Sequence, residues 1–90
     1  MIKSIFASKT QAKILDFLFQ NPNQKYYQRE LHKKLDESLS TIQYEIKRLI
    51  KIGILLQEKK NRRVYYFLNK NFYIYPELRD IILKTRQQQL

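Results

Sequence analysis

The sequence predicts a mainly α domain with one small β-hairpin, an α+β arrangement ordered helix, short strand, helix, helix, strand, strand, helix. Three observations predict it. Apolar residues recur at helical spacing in four separate segments. The second and third of those segments are separated only by a tight turn at Asp36-Glu37. After the only glycine of the chain come two short runs rich in β-branched, aromatic and other apolar side chains, joined by a polar basic stretch, which is the signature of a hairpin.

Each element has its own local signal. The first helix is predicted over Lys9–Gln20, with Ser8 as N-cap and Gln11 three residues on, as a capping box requires. Ala12, Ile14, Leu15 and Leu18 form its apolar stripe, and Phe17 and Phe19 widen it. Asn21-Pro22-Asn23 stops it. Lys25-Tyr26-Tyr27 is aromatic and short enough for one brief edge strand. Gln28–Leu35 is predicted as the second helix, with Leu31 and Leu35 on one side. Ser38 is the predicted N-cap of a third helix, Leu39–Ile52, whose Leu39, Ile42, Ile46 and Leu49 fall on one face. Gly53 ends it, and a left-handed position is the natural use of that glycine. Ile54–Glu58 and Val64–Leu68 are the predicted strands, with Lys59-Lys60-Asn61-Arg62-Arg63 as their connection and Asn61 available for a turn. A last helix is predicted to start after Pro76, with Glu77 near the positive end of its dipole and Leu78, Ile81 and Ile82 on its apolar face.

Ninety residues, 43% of them hydrophobic, suit one compact core, so residues 1–90 are expected to form a single domain with its core over 8–85 and a frayed polar tail over 86–90. No run of about 18 apolar residues exists to span a bilayer. Met1–Phe6 is too short in apolar residues for a signal peptide, and a cytoplasmic location is expected. The chain has no cysteine and one histidine, His32, expected on the exposed side of the second helix. That leaves little for a metal site. One glycine cannot build a glycine-rich nucleotide loop. No nucleophile has a base near it in sequence, so no catalytic residue, metal or cofactor is expected. Eighteen Lys and Arg against eight Asp and Glu give a net charge of +10, which points to a polyanionic partner.

Candidate contact residues follow from where that charge falls. Opposite its apolar face, the third helix carries Ser40, Gln43, Tyr44, Lys47, Arg48 and Lys51. A helix of this width fits the major groove of DNA. Gln43 can pair with an adenine edge, Ser40 and Thr41 can reach bases or phosphates, Lys47 can contact guanine or the backbone, and Tyr44 adds a ring and a hydroxyl. Lys59, Lys60, Arg62 and Arg63 cluster at a hairpin tip with no apolar reason to exist, and suit an adjacent minor groove or its phosphates. Helix, tight turn, helix and then a hairpin is the order of a winged helix-turn-helix, with the hairpin as wing.

The stretch from Ser8 to about Thr85 also resembles the ArsR/MarR-like winged-helix regulators of bacteria and archaea. The residues that carry the resemblance are Ser8-Lys9-Thr10-Gln11-Ala12-Lys13-Ile14-Leu15, Tyr26-Tyr27-Gln28-Arg29-Glu30-Leu31, Gln43–Leu49, Gly53-Ile54-Leu55, Asn61–Tyr66 and Tyr75-Pro76-Glu77-Leu78. The resemblance implies a transcription regulator that reads the major groove with the helix starting near Ser40, uses the hairpin as wing, and works as a homodimer. Two departures qualify it. Asp36 stands where the turn usually has glycine, and aspartate tolerates the left-handed region. The paired cysteines of the metal-sensing members are absent, so metal control is not implied.

The function expected is therefore sequence-specific binding of double-stranded DNA in transcription regulation, with no enzymatic activity. The alternative is a protein-interaction module or an accessory subunit of an enzyme such as a nucleotidyltransferase. A homodimer is expected through the chain ends, by Ile2, Ile5 and Phe6 together with Phe72, Tyr73, Ile74 and Tyr75.

Overall fold

Ser8 opens the fold. In the computed structural model, which describes residues 8–88 and their side chains as far as Thr85, its hydroxyl accepts the Gln11 N–H at 3.0 Å and starts helix α1, Lys9–Gln20. A side-chain oxygen here satisfies one of the N–H groups that a helix start leaves without a partner. Helices α2, Gln28–Leu35, and α3, Leu39–Ile52, have the bounds the sequence predicts. Between them Asp36 is left-handed at φ 53°. The Ser38 hydroxyl then accepts the Thr41 N–H at 3.2 Å and caps α3. At the other end Gly53 sits at φ +103°. Its N–H bonds the Ile50 carbonyl at 3.1 Å and the Ile54 N–H bonds that of Leu49 at 3.0 Å, which closes the helix end. A Cβ on Gly53 would meet the Phe72 ring no closer than 3.6 Å, so backbone conformation rather than space requires the glycine.

The hairpin is longer and its turn tighter than the sequence reading has it. Strands β1, Leu55–Lys60, and β2, Arg63–Leu68, pair antiparallel from Leu55↔Leu68 to Lys60↔Arg63. The five-residue connection expected over Lys59–Arg63 shrinks to Asn61-Arg62, both left-handed at φ 51° and 66°. Two consecutive left-handed residues make the turn whose twist matches that of paired strands. Charge alone suggested a loop. Lys59, Lys60 and Arg63 are strand residues whose side chains leave by alternate faces. The short strand expected at Lys25–Tyr27 reduces to one bridge, with Tyr26 and Tyr66 exchanging N–H···O bonds of 2.9 and 2.7 Å.

Helix α4, Tyr75–Gln88, begins one residue before Pro76 rather than after it. The tail expected to fray from Arg86 is helical as far as Gln88; no glycine or proline stops it, and Arg and Gln are good helix formers. Residues 89 and 90 lie outside the described residues.

One core joins all the elements. Ile14, Leu15 and Leu18 of α1, Leu31 of α2, Ile42, Ile46 and Leu49 of α3, Leu55 and Leu68 of the hairpin, and Leu78 and Ile82 of α4 are all buried. Leu39, expected with the inner row of α3, is only half-buried. Ile81 is 40% exposed, because it stands about 100° around α4 from the buried Ile82. The Phe19 and Tyr75 rings meet at 5.3 Å and join the first helix to the last. This corrects the expected dimer surface in part. Tyr75 belongs to the core and Phe72 packs against it, which leaves Tyr73 and Ile74 exposed. Ile2, Ile5 and Phe6 lie outside the described residues.

Candidate nucleic-acid interface

Burying Ile42, Ile46 and Leu49 forces the opposite side of α3 outward. Ser40, Gln43, Tyr44, Lys47 and Lys51 are all exposed there, Tyr44 by 61%. They form a row about 16 Å long, from 1.5 Å of rise per residue. The remaining α3 candidates are less free. Thr41 is half-buried, and its hydroxyl lies 2.7 Å from that of Ser38 in the helix cap. Arg48 donates from Nη1 to Glu45 Oε1 at 3.1 Å, and its guanidinium stands 5.7 Å from the Tyr44 ring.

The turn that presents α3 is pinned to α1. Glu37 accepts from Thr10 Oγ1 at 2.5 Å and from Lys13 Nζ at 2.8 Å. Those hydrogen bonds, that of Lys13 first, hold its carboxyl below the usual carboxylate range. His32, expected on the exposed side of α2, is half-buried and donates from Nδ1 to the Glu37 carbonyl. A ring nitrogen facing a carbonyl must carry the proton. His32 is thus a closing contact of the helix-turn-helix, which a position on a short helix did not reveal.

All the basic wing candidates are exposed: Lys59, Lys60, Arg62 and Arg63. Arg62 is at the tip. Arg63 turns back, its guanidinium 4.4 Å from the Tyr27 ring, which in turn stands edge-on to Tyr65 at 6.1 Å. Lys25 lies over Phe67 at 4.7 Å and pairs with Glu58 at 3.1 Å. The Gln28 amide donates to the Tyr66 hydroxyl at 3.1 Å. Together with the Tyr26–Tyr66 bridge, these contacts tie the wing to the start of α2. The sequence reading missed Lys25, Tyr27 and Gln28. The sequence placed Lys25-Tyr26-Tyr27 in a brief edge strand, and an edge strand beside a hairpin was the signal that these residues hold the wing.

Four acidic residues of this region have partners of their own, and only Glu45 among them is buried. Glu30 accepts the Tyr27 N–H at 3.1 Å, Glu37 takes Thr10 and Lys13, Glu45 takes Ser8 and Arg48, and Glu58 takes Lys25. With Glu45 buried and Glu58 paired to Lys25, the exposed charge of α3 and the wing is predominantly cationic. Among the described residues no three His, Asp or Glu side chains converge as a metal site, and no helix is long and apolar enough to cross a membrane.

The class that this fold defines is the winged helix-turn-helix domain, and solved structures of that class match it. The HlyU transcriptional regulator of Vibrio vulnificus superposes with a TM-score of 0.71 at 25% identity, over 93% of this chain and 79% of that one. The adhesin competence repressor AdcR of Streptococcus pyogenes gives 0.74 at 23% identity, over 97% of this chain and 64% of that one. MepR of Staphylococcus aureus, a transcription regulator of the multidrug efflux pump MepA, gives 0.73 at 15% identity, over 97% and 66%. The chain therefore spans slightly less than two thirds of the length of AdcR and MepR. No protein-family model and no curated protein matches the sequence.

Proposed function

We propose that this protein is a DNA-binding transcriptional regulator that lays α3 in the major groove and its wing along the adjacent minor groove or backbone. The observation that carries the reading is the exposed row Ser40, Gln43, Tyr44, Lys47 and Lys51 on a helix whose other side is the core. Polar side chains with hydrogen-bonding reach near the start of such a helix suit base edges, and cations further along suit phosphates. The structural neighbours that are named as regulators support the same reading. It implies a cytoplasmic location and no catalysis.

A single copy offers one helix and one wing, a small surface for specific recognition. Two copies related by a two-fold axis would set two such helices about 34 Å apart, one turn of DNA. Tyr73, 83% exposed, with Ile74, Ile81 and Leu83 on the same stretch of chain, supplies apolar surface for that pairing.

Binding to duplex DNA tests the proposal. Two protomers neutralising about 6–10 phosphates would lose about 10³–10⁵ in affinity between about 50 and 200 mM salt. Replacing Arg62 and Arg63 together by alanine is expected to weaken binding to every sequence, and Gln43→Ala to change which sequence is preferred. Equal losses on every sequence from both changes would remove α3 as the reading element.

A further inference from the structure

Glu45 stands in the middle of α3 and is 2% exposed, although both its neighbours on the outer side, Tyr44 and Arg48, belong to the exposed surface. Its two carboxylate oxygens have separate partners. Oε2 accepts from the hydroxyl of Ser8, the cap of α1, and Oε1 accepts from Arg48 Nη1 at 3.1 Å. Burying a carboxylate carries a large desolvation penalty before its partners offset it, and an apolar residue here would fill the core without that penalty. The charge therefore has to be explained by what it holds. On one side it holds the start of α1. On the other it holds the guanidinium of Arg48, whose side chain is 37% exposed and whose guanidinium faces the Tyr44 ring.

We infer that Glu45 is a positioning residue for DNA recognition: it fixes the Arg48 guanidinium and the Tyr44 ring as one rigid unit beside Gln43 and Lys47, and so sets which base step α3 can accept. The inference rests on the reading of α3 as the recognition helix. Arg48 has a flexible stem, and an unheld arginine satisfies phosphates of any sequence. Held by Glu45 through Nη1, the guanidinium keeps its remaining donors with less freedom, and those donors are what it can offer to DNA. Glu45 touches no DNA itself; it selects among sequences through Arg48. The buried carboxylate also ties that geometry to α1, because the same group bonds the Ser8 hydroxyl.

The experiment is a double-mutant cycle of E45Q and R48Q in the full chain, with thermal unfolding run on each variant. Gln keeps the shape of Glu45 and can still meet the Ser8 hydroxyl, so folding is retained while the charge that orients Arg48 is gone. The readout is the ratio of Kd for a scrambled duplex to Kd for the preferred duplex found by selection. E45Q is expected to lower that ratio about tenfold, the scale of one good base contact, while scrambled DNA is bound as tightly or more tightly because Arg48 is released and one negative charge is lost. R48Q is expected to lower the ratio by a similar factor, and the double variant to fall no further than R48Q alone. An unchanged ratio in E45Q, losses that multiply in the double variant, or equal weakening on both duplexes in step with lost thermal stability overturns the inference and leaves the DNA-binding reading standing. A wild-type chain that binds no duplex overturns both.

Discussion

At Glu37 two side-chain donors converge, Thr10 at 2.5 Å and Lys13 at 2.8 Å, while the carbonyl of the same residue takes the His32 ring. The carboxyl is held below its usual range by those donors, so its contribution to stability has a definite sign with pH. It is fully present above the unfolded value of about 4.3, and is lost as pH falls through the lower folded value. Thermal unfolding from pH 7 downward is expected to show it: Glu37→Gln unfolds several degrees below wild type at neutral pH, for a loss of about 1 kcal/mol, and the two curves converge in acid. Curves that stay parallel into acid would assign the loss to packing rather than to the charge. Such residues are where the sequence was least readable. Glu37 and Glu45 look like ordinary solvated acids, because their partners Thr10, Lys13 and Ser8 lie 24 to 37 positions away. A single sequence does not announce such pairs.

The elements themselves were legible because their ends carry local chemistry. Ser8 and Ser38 cap, Asn21-Pro22 stops, and Gly53 closes, so α1, α2 and α3 have the bounds read from the sequence. The hairpin was misjudged where charge and conformation disagree. Arg62 occupies the left-handed position at φ 66° that a two-residue turn ordinarily gives to glycine. A longer side chain there costs stability, and the proposed DNA contact gives it a use. Arg62→Gly is therefore expected to move two quantities in opposite directions. The melting temperature rises by a few degrees, from about 0.5–1 kcal/mol of relieved strain. Affinity for duplex DNA falls, on all sequences alike. A variant that is more stable and binds DNA as well as wild type would show that the tip makes no contact. The contacts of Tyr27 with Arg63, of Gln28 with Tyr66 and of Lys25 with Glu58 make the wing an extension of the helix-turn-helix, so the effect is confined to the tip.

At the scale of the whole molecule, one core positions a predominantly cationic surface built from α3 and the wing, with Glu45 buried and Glu58 paired to Lys25. The fold was readable from apolar spacing, because burial of Ile42, Ile46 and Leu49 decides which side of α3 faces out. The entry into α4 was only half readable: Phe72, Tyr73, Ile74 and Tyr75 are all large and apolar, and only packing sorts Tyr75 into the core and Tyr73 onto the surface. The central claim is that this surface reads DNA sequence, and that two copies do so together. Selection of bound duplexes from a random pool tests both directly. The account predicts enrichment of one inverted repeat whose half-sites lie about one helical turn apart, roughly 10 base pairs, with the enrichment abolished when Gln43, Lys47 and Lys51 are replaced by alanine. A pool that stays random, with the chain retaining duplexes only through charge, would contradict it.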